Sequence, residues 1–253
     1  MGCWDDYTYN YKISSFDADQ NRELTLSSLL RIQQEAGEQH LNTGGLGYGF
    51  LYDLGIVFVL TRASAVIHRL PRFGEDEVGC TTWSNGFSGM LFTRSYALRS
   101  SGGELLAESA STFTAINPHT FKLMRPGQVA EMDLPHFPEH ISGRAPEKLR
   151  FSDEPFAPAL NREISYSMID YNGHLNNTKY ADIIYDAYPG ELQNRLIKSF
   201  DINFLGQALR GDVLEVECAE QAKEEAAESC HIFKGSHSRG NCFTARLYTA
   251  PRI

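Results

Sequence analysis

The sequence predicts an α+β protein built from two tandem copies of one unit, a helix wrapped by antiparallel sheet. Two observations carry that expectation. The order strand, helix, several strands reads twice along the 253 residues. Matching segments also recur at one spacing: Arg62 corresponds to Ser199, Gly74 to Gly211 and Gly103 to Gly240, each pair 137 positions apart. Upstream the spacing changes. Asp17-Ala-Asp19-Gln-Asn21 matches Asp170-Tyr-Asn172-Gly-His174 at 153 positions, so the first copy is expected to carry 16 extra residues, the glycine-rich 44–49 among them.

The first helix is expected to start after Thr25 as N-cap, with Leu26, Leu29, Leu30, Gln33 and Ala36 at helical spacing. The second follows Asn176 and Asn177, with Tyr180, Ile183, Ile184 and Ala187 on its apolar face, and Pro189-Gly190 ends it. Strands are read over 56–67, 78–84, 90–99 and 105–116 in the first copy. In the second they are read over 199–205, 213–218, 229–235 and 242–249. The copies are expected at 1–125 and 159–253, and 126–158, with six prolines, reads as a linker between them.

Composition is that of a globular chain: 42% hydrophobic, 22% charged, 11% aromatic. The net charge of −9 argues against non-specific nucleic-acid binding. The longest apolar run, 56–60, is far short of the roughly 20 residues of a membrane span. No signal segment is read at the start, and Asp6 spoils the myristoylation pattern of Met1-Gly2-Cys3. Five scattered cysteines (Cys3, Cys80, Cys218, Cys230, Cys242) read as reduced thiols of a cytoplasmic protein.

Most motifs fail on spacing. The 17–21 segment starts like a calcium loop, but Arg22 stands where glycine is needed and Ser28 where the bidentate Glu is needed. The glycines of 44–49 follow a helix and lack a Gly-Lys-Ser/Thr ending, so they read as a loop. Ser88 misses the Gly-x-Ser-x-Gly pattern. Cys230, His231, His237 and Cys242 lack paired-ligand spacing, so no metal or other cofactor is expected. Pro135-His136-Phe137-Pro138 lies in the linker and reads as structural.

One constellation stands out. Asp170-Tyr171-Asn172-Gly173-His174-Leu175-Asn176-Asn177 places a carboxylate, an amide and an imidazole within five residues, just before a helix. Gly173 permits a tight turn. The helix start offers N–H groups and a positive dipole end to a developing oxyanion. The first copy is expected to hold Asn21 where the second holds His174.

At these residues the chain resembles the bacterial acyl-acyl carrier protein thioesterases. The resemblance rests on Asp170-x-Asn172-x-His174-x-Asn176-Asn177 with Lys179-Tyr180, on Phe58-Val-Leu-Thr-Arg62, and on Leu70-Pro71-Arg72-Phe73-Gly74-Glu75. Thr82-Trp83 and Arg94-x-Tyr96 extend it, and it spans about 9–247. It implies a double hotdog fold and hydrolysis of fatty acyl thioesters held on acyl carrier protein. It also implies catalytic roles for Asp170, Asn172 and His174. A further family position, often Glu, aligns with Gln207, which cannot serve as a carboxylate base.

Hydrolysis needs an activated water and a polarised carbonyl. His174 is expected as general base, oriented by Asp170, with Asn172 placing the water or the carbonyl oxygen. Direct attack by Asp170 through an anhydride is the alternative. Leu30, Phe50, Ile56 and Phe58 are candidates to line an acyl tunnel. Arg62, Arg69 and Arg72, with Arg94 and Lys122, are candidates to meet an acidic carrier. An acyl-CoA thioesterase, a hotdog dehydratase and a non-catalytic acyl-binding module stay open, as does a homodimer.

Overall fold

The computed structural model describes residues 6–74, 77–129, 141–151, 154–221 and 228–252. Cys3, the Met1-Gly2 start, Glu75 and 135–138 lie outside them. The chain divides into two compact units, Met1–Pro146 and Glu147–Ile253.

The first unit holds β1 (Tyr7–Tyr11), α1 (Leu26–Thr43), α2 (Tyr48–Asp53), β2 (Val57–Ile67), β3 (Val78–Ser88), β4 (Leu91–Ser100), β5 (Leu105–Ile116) and the short α3 (Pro126–Val129). Its strands lie in the order β1-β3-β4-β5-β2, every pairing antiparallel. The second unit holds β6 (Ala157–Glu163), α4 (Lys179–Asp186), β7 (Arg195–Phe204), β8 (Val213–Gln221), β9 (Ser229–His237) and β10 (Gly240–Pro251). Its order, β6-β8-β9-β10-β7, is the same topology, again antiparallel throughout.

Each helix forms where its caps and apolar stripe place it. Thr25 caps α1, its hydroxyl accepting the Ser28 N–H. The stripe buries Leu26, Leu29, Leu30, Ile32 and Ala36 and packs against β1 and β3. Gln33, a polar member of that stripe, is satisfied by donating to Ser109 Oγ on β5 at 2.8 Å. In the second unit Tyr180, Ala181, Ile183 and Ile184 of α4 are buried. The Tyr180 ring meets Phe204 and Phe243 edge-on, with centroids 5.5 and 5.4 Å apart. Phe243 has that place because position 235 is glycine: a Cβ there would lie 2.1 Å from its ring.

Two expectations change. The glycine-rich 44–49 is not loop throughout, because Gly47 starts α2. The expected linker is also partly built into the units. Ser142 N–H donates to Ser95 Oγ (3.1 Å) in the first. Leu149 N–H donates to Asn203 Oδ1 (2.8 Å) in the second, and β6 begins at Ala157.

The hydrogen bonds of the two turns correct the upstream spacing. In the first unit Asp19 N–H donates to Glu23 O (2.8 Å), Arg22 N–H to Asp19 O (2.9 Å) and Thr25 N–H to Asp17 O (3.0 Å). In the second, Asp170 N–H donates to His174 O, Gly173 N–H to Asp170 O and Asn176 N–H to Met168 O, each at 3.0 Å. Isolated bridges Ala18–Leu24 and Ile169–Leu175 close the two turns alike. The offset is therefore 151, not 153, and the extra segment is 14 residues, not 16. Asp17, Asp19 and Asn21 alternate with period two, so a slip of two residues preserves the polar pattern and escapes a reading by residue type. The true counterparts are Asp19 for Asp170, Asn21 for Asn172, Arg22 for Gly173 and Glu23 for His174.

Candidate active site

The turn of the second unit begins with a single 3-10 turn at Tyr166–Met168. Asp170 Oδ1 accepts the Asn172 N–H at 2.8 Å, an Asx turn that reverses the chain. Gly173 completes it at φ +83°, where a side chain is disfavoured. Arg22 takes the same left-handed conformation at the matching place, φ +64°. Leu175 is buried and its N–H donates to Ala208 O at 2.8 Å. An apolar residue thus anchors the polar turn from below.

This geometry brings Asp170 and His174 together. Asp170 Oδ1 lies 3.9 Å from His174 Nδ1, with side chains 12% and 22% exposed. That is ion-pair range, longer than a hydrogen bond. His174 Nδ1 also faces Leu175 O at 3.4 Å. Both acceptors lie on the Nδ1 side, which favours the proton there and leaves the Nε2 lone pair for chemistry. Asn172 is exposed beside them.

The start of α4 offers less than expected. Asn176 Oδ1 accepts both the N–H (2.9 Å) and the hydroxyl (2.7 Å) of Thr178. Lys179 N–H donates to Asn176 O and Ala181 N–H to Thr178 O. These amides are therefore engaged within the helix start, and the exposed Asn172 side chain lies on the turn before it.

Gln207 is exposed. Its backbone carbonyl accepts His237 Nε2–H at 2.9 Å, and the next residue, Ala208, holds the turn through Leu175. The segment bearing Gln207 therefore lies against the Asp170–His174 turn.

Family models for the acyl-ACP thioesterase N-terminal domain and the acyl-ACP thioesterase C-terminal domain match residues 5–129 and 158–246. The chain belongs to the acyl-ACP thioesterase family. An acyl-acyl carrier protein hydrolase of Cuphea viscosissima is 26% identical over 83% of this chain and 54% of its own length. A palmitoyl-acyl carrier protein thioesterase of Arabidopsis thaliana has the same identity and coverage. The chain thus spans about half the length of these curated relatives. An acyl-ACP thioesterase structure from Bacteroides thetaiotaomicron superposes with TM-score 0.82 at 23% identity, covering 96% of this chain and 97% of that one. The 12:0-ACP thioesterase of Umbellularia californica gives 0.80 at 19%, covering 100% and 99%. These likenesses show the double hotdog fold.

For this acyl-ACP thioesterase family member the remaining candidate residues fall in different environments. Ile56 is buried with Ala115 and Val129, and Phe58 packs on that cluster. Leu30 is buried on α1, whereas Phe50 is exposed on α2. Arg62 is half-buried. Arg69 pairs with Glu104 at 2.7 Å and Arg72 with Glu23 at 3.5 Å. Arg94 cannot meet a partner surface. It is 3% exposed and donates to His40 Nδ1 (2.9 Å) and Thr82 Oγ1 (3.2 Å) inside the first unit.

Burial pushes the Cys80 and Cys218 thiols up to about 12 and Cys242 up to about 11, which removes them as nucleophiles. No helix of the described residues is long and apolar enough to cross a membrane. The interactions that sequence reasoning missed are those of His237, Asp212 and Arg239 around the Gln207 segment. His237 was weighed as a zinc ligand, and its contact with Gln207 spans 30 positions.

Proposed function

We propose that the chain hydrolyses fatty acyl-acyl carrier protein to free fatty acid and carrier thiol. The observation that carries this reading is the placement of Asp170, Asn172 and His174 on one turn of a family member, with the imidazole beside the carboxylate. His174 Nε2 takes a proton from water as the water oxygen attacks the thioester carbon. Asp170 orients the ring and supports its positive charge. Asn172 Nδ2–H donates to the developing oxyanion. Collapse of that intermediate breaks the C–S bond, and the imidazolium returns its proton to the departing thiolate. A thiol with a pKa of about 8.5 leaves with little help.

Leu30, Ile56 and Phe58 line the space for the acyl tail, while Phe50 is the weaker candidate because of its exposure. Filling that space by Ile56→Phe or opening it by Phe58→Ala is expected to change the preferred chain length. Chain-length profiles measured over a series of carrier thioesters check this; a fixed profile with lowered stability assigns both residues to the core alone. Four buried free thiols among the described residues support a reducing compartment, the cytoplasm.

Thiol release from acyl carrier protein and CoA thioesters, measured side by side, tests the reading. Higher kcat/KM on the carrier form is expected, and release from neither substrate refutes it. With a chain at −9, an acidic carrier must dock on local positive charge. Charge reversal of Arg62, Arg69, Arg72 and Lys122 should raise KM for the carrier form more than for CoA. Equal rises would remove these residues from the dock.

Gln207 separates orientation from proton transfer. Gln207→Ala is expected to lower kcat by about 10-fold, less than loss of a general base. Gln207→Glu should stay active, with a pH profile shifted by the added carboxylate. Loss in Gln207→Ala as large as in His174→Ala would make Gln207 indispensable instead.

A further inference from the structure

Resting on that functional reading, we infer that His237 is a positioning residue: it clamps the Gln207–Leu209 segment so that Ala208 holds the His174 turn in register. His237 ends β9, and its side chain is only 6% exposed. Both ring nitrogens are used. Nδ1 accepts the Arg239 N–H at 3.0 Å, and Nε2–H donates to Gln207 O at 2.9 Å. With a backbone donor at Nδ1, the ring presents its N–H at Nε2, where it meets the Gln207 carbonyl.

A second tie holds the other end of the segment. Leu209 N–H donates to Asp212 Oδ2 at 2.6 Å, and Arg239 Nη1–H donates to Asp212 Oδ1 at 2.7 Å. The Arg239 guanidinium keeps the Asp212 carboxyl below the usual carboxylate range, so it remains an acceptor at neutral pH. Between these ties, Ala208 O receives the Leu175 N–H at 2.8 Å, one residue from His174. A shift of the segment therefore moves the turn through one main-chain hydrogen bond. The main-chain bond recurs in the first unit, Leu24 N–H to Pro71 O at 2.9 Å, but the histidine does not. At the position matching His237 the first unit has Ser100, whose Oγ accepts the Glu104 N–H and closes its own hairpin.

Positioning predicts a particular kinetic pattern. His237→Phe keeps the ring volume and removes both hydrogen bonds. His237→Gln restores an N–H donor at the place of Nε2. With an acyl-acyl carrier protein thioester as probe, His237→Phe is expected to lower kcat by about 10–10²-fold, the scale of a small misplacement of catalytic groups. KM should stay within about twofold of wild type, because the groups that bind the acyl tail are untouched. His237→Gln should recover most of the lost kcat. Hydrogen exchange at the Leu175 amide reads the same clamp without turnover: faster in His237→Phe, near wild type in His237→Gln. Unchanged kcat and unchanged Leu175 exchange in a folded His237→Phe overturn the inference. Equal loss in both variants does so too, since the Gln207 contact would then not be the cause. A wild-type chain that releases no thiol refutes the functional reading, and the exchange measurement still decides whether the clamp exists.

Discussion

His174→Ala is expected to lower kcat for thioester hydrolysis by about 10²–10⁴-fold, the usual scale for loss of a general base. Acyl-carrier binding should persist, because removing the imidazole leaves the apolar residues proposed for the tail in place. Glu23→Ala supplies the control. Glu23 stands at the matching place of the first unit, where it pairs with Arg72 at 3.5 Å, and its loss should leave kcat unchanged. The contrast separates a catalytic imidazole from a turn that merely needs a polar residue. Steady-state kinetics on both variants, with circular dichroism to check folding, decides it. Full activity in His174→Ala would leave Asp170 as a direct nucleophile.

Asp17→Ala is expected to have the largest effect on stability, about 2–4 kcal/mol. Asp17 is fully buried. Its Oδ2 accepts the Tyr11 hydroxyl and the Ser14 N–H, each at 2.8 Å, and Arg31 reaches Oδ1. Burial, with the Asp17 carboxylate beside it, holds the Tyr11 phenol above its usual range, so it stays a donor. Truncation would leave the phenol and an amide without their acceptor. The half-exposed Arg31 adds little to this. Urea midpoints measure the change, and a loss below about 0.5 kcal/mol would contradict the role. The matching residue in the second unit is Met168. The turn of the second unit therefore lacks this buried carboxylate, while both turns share the anchor of a buried leucine, Leu24 N–H to Pro71 O (2.9 Å) and Leu175 N–H to Ala208 O (2.8 Å).

Much of this was legible in the sequence, because local rules carry it. Thr25 and the 3.6-residue stripe marked α1, and Tyr180, Ile183 and Ile184 marked α4. Gly173 beside Asp170 and Asn172 marked a tight turn, which the Asp170–Asn172 contact and the positive φ of Gly173 display. The 137-residue register marked a shared topology, which the strand orders of the two units display. Other features escaped because their cause lies elsewhere in the chain. β6 has two of its seven residues half-buried and the rest exposed, so it shows little apolar run. Arg94 looked like a surface cation. It is buried because His40, 54 positions away, accepts its N–H. The His237 contact spans 30 positions, and nothing in the residue types announces it. The two-residue slip between the turns arose from alternation of Asp and Asn, which only hydrogen-bond partners resolve.

A single turnover of acyl-acyl carrier protein in water labelled with heavy oxygen tests the proposed chemistry most directly. If His174 activates water for attack on the thioester, one heavy oxygen appears in the released fatty acid. None appears in the peptide containing Asp170, and no acyl group is found on the chain when the reaction is quenched. Label in the Asp170 carboxylate, an acylated chain, or no free acid at all would contradict it.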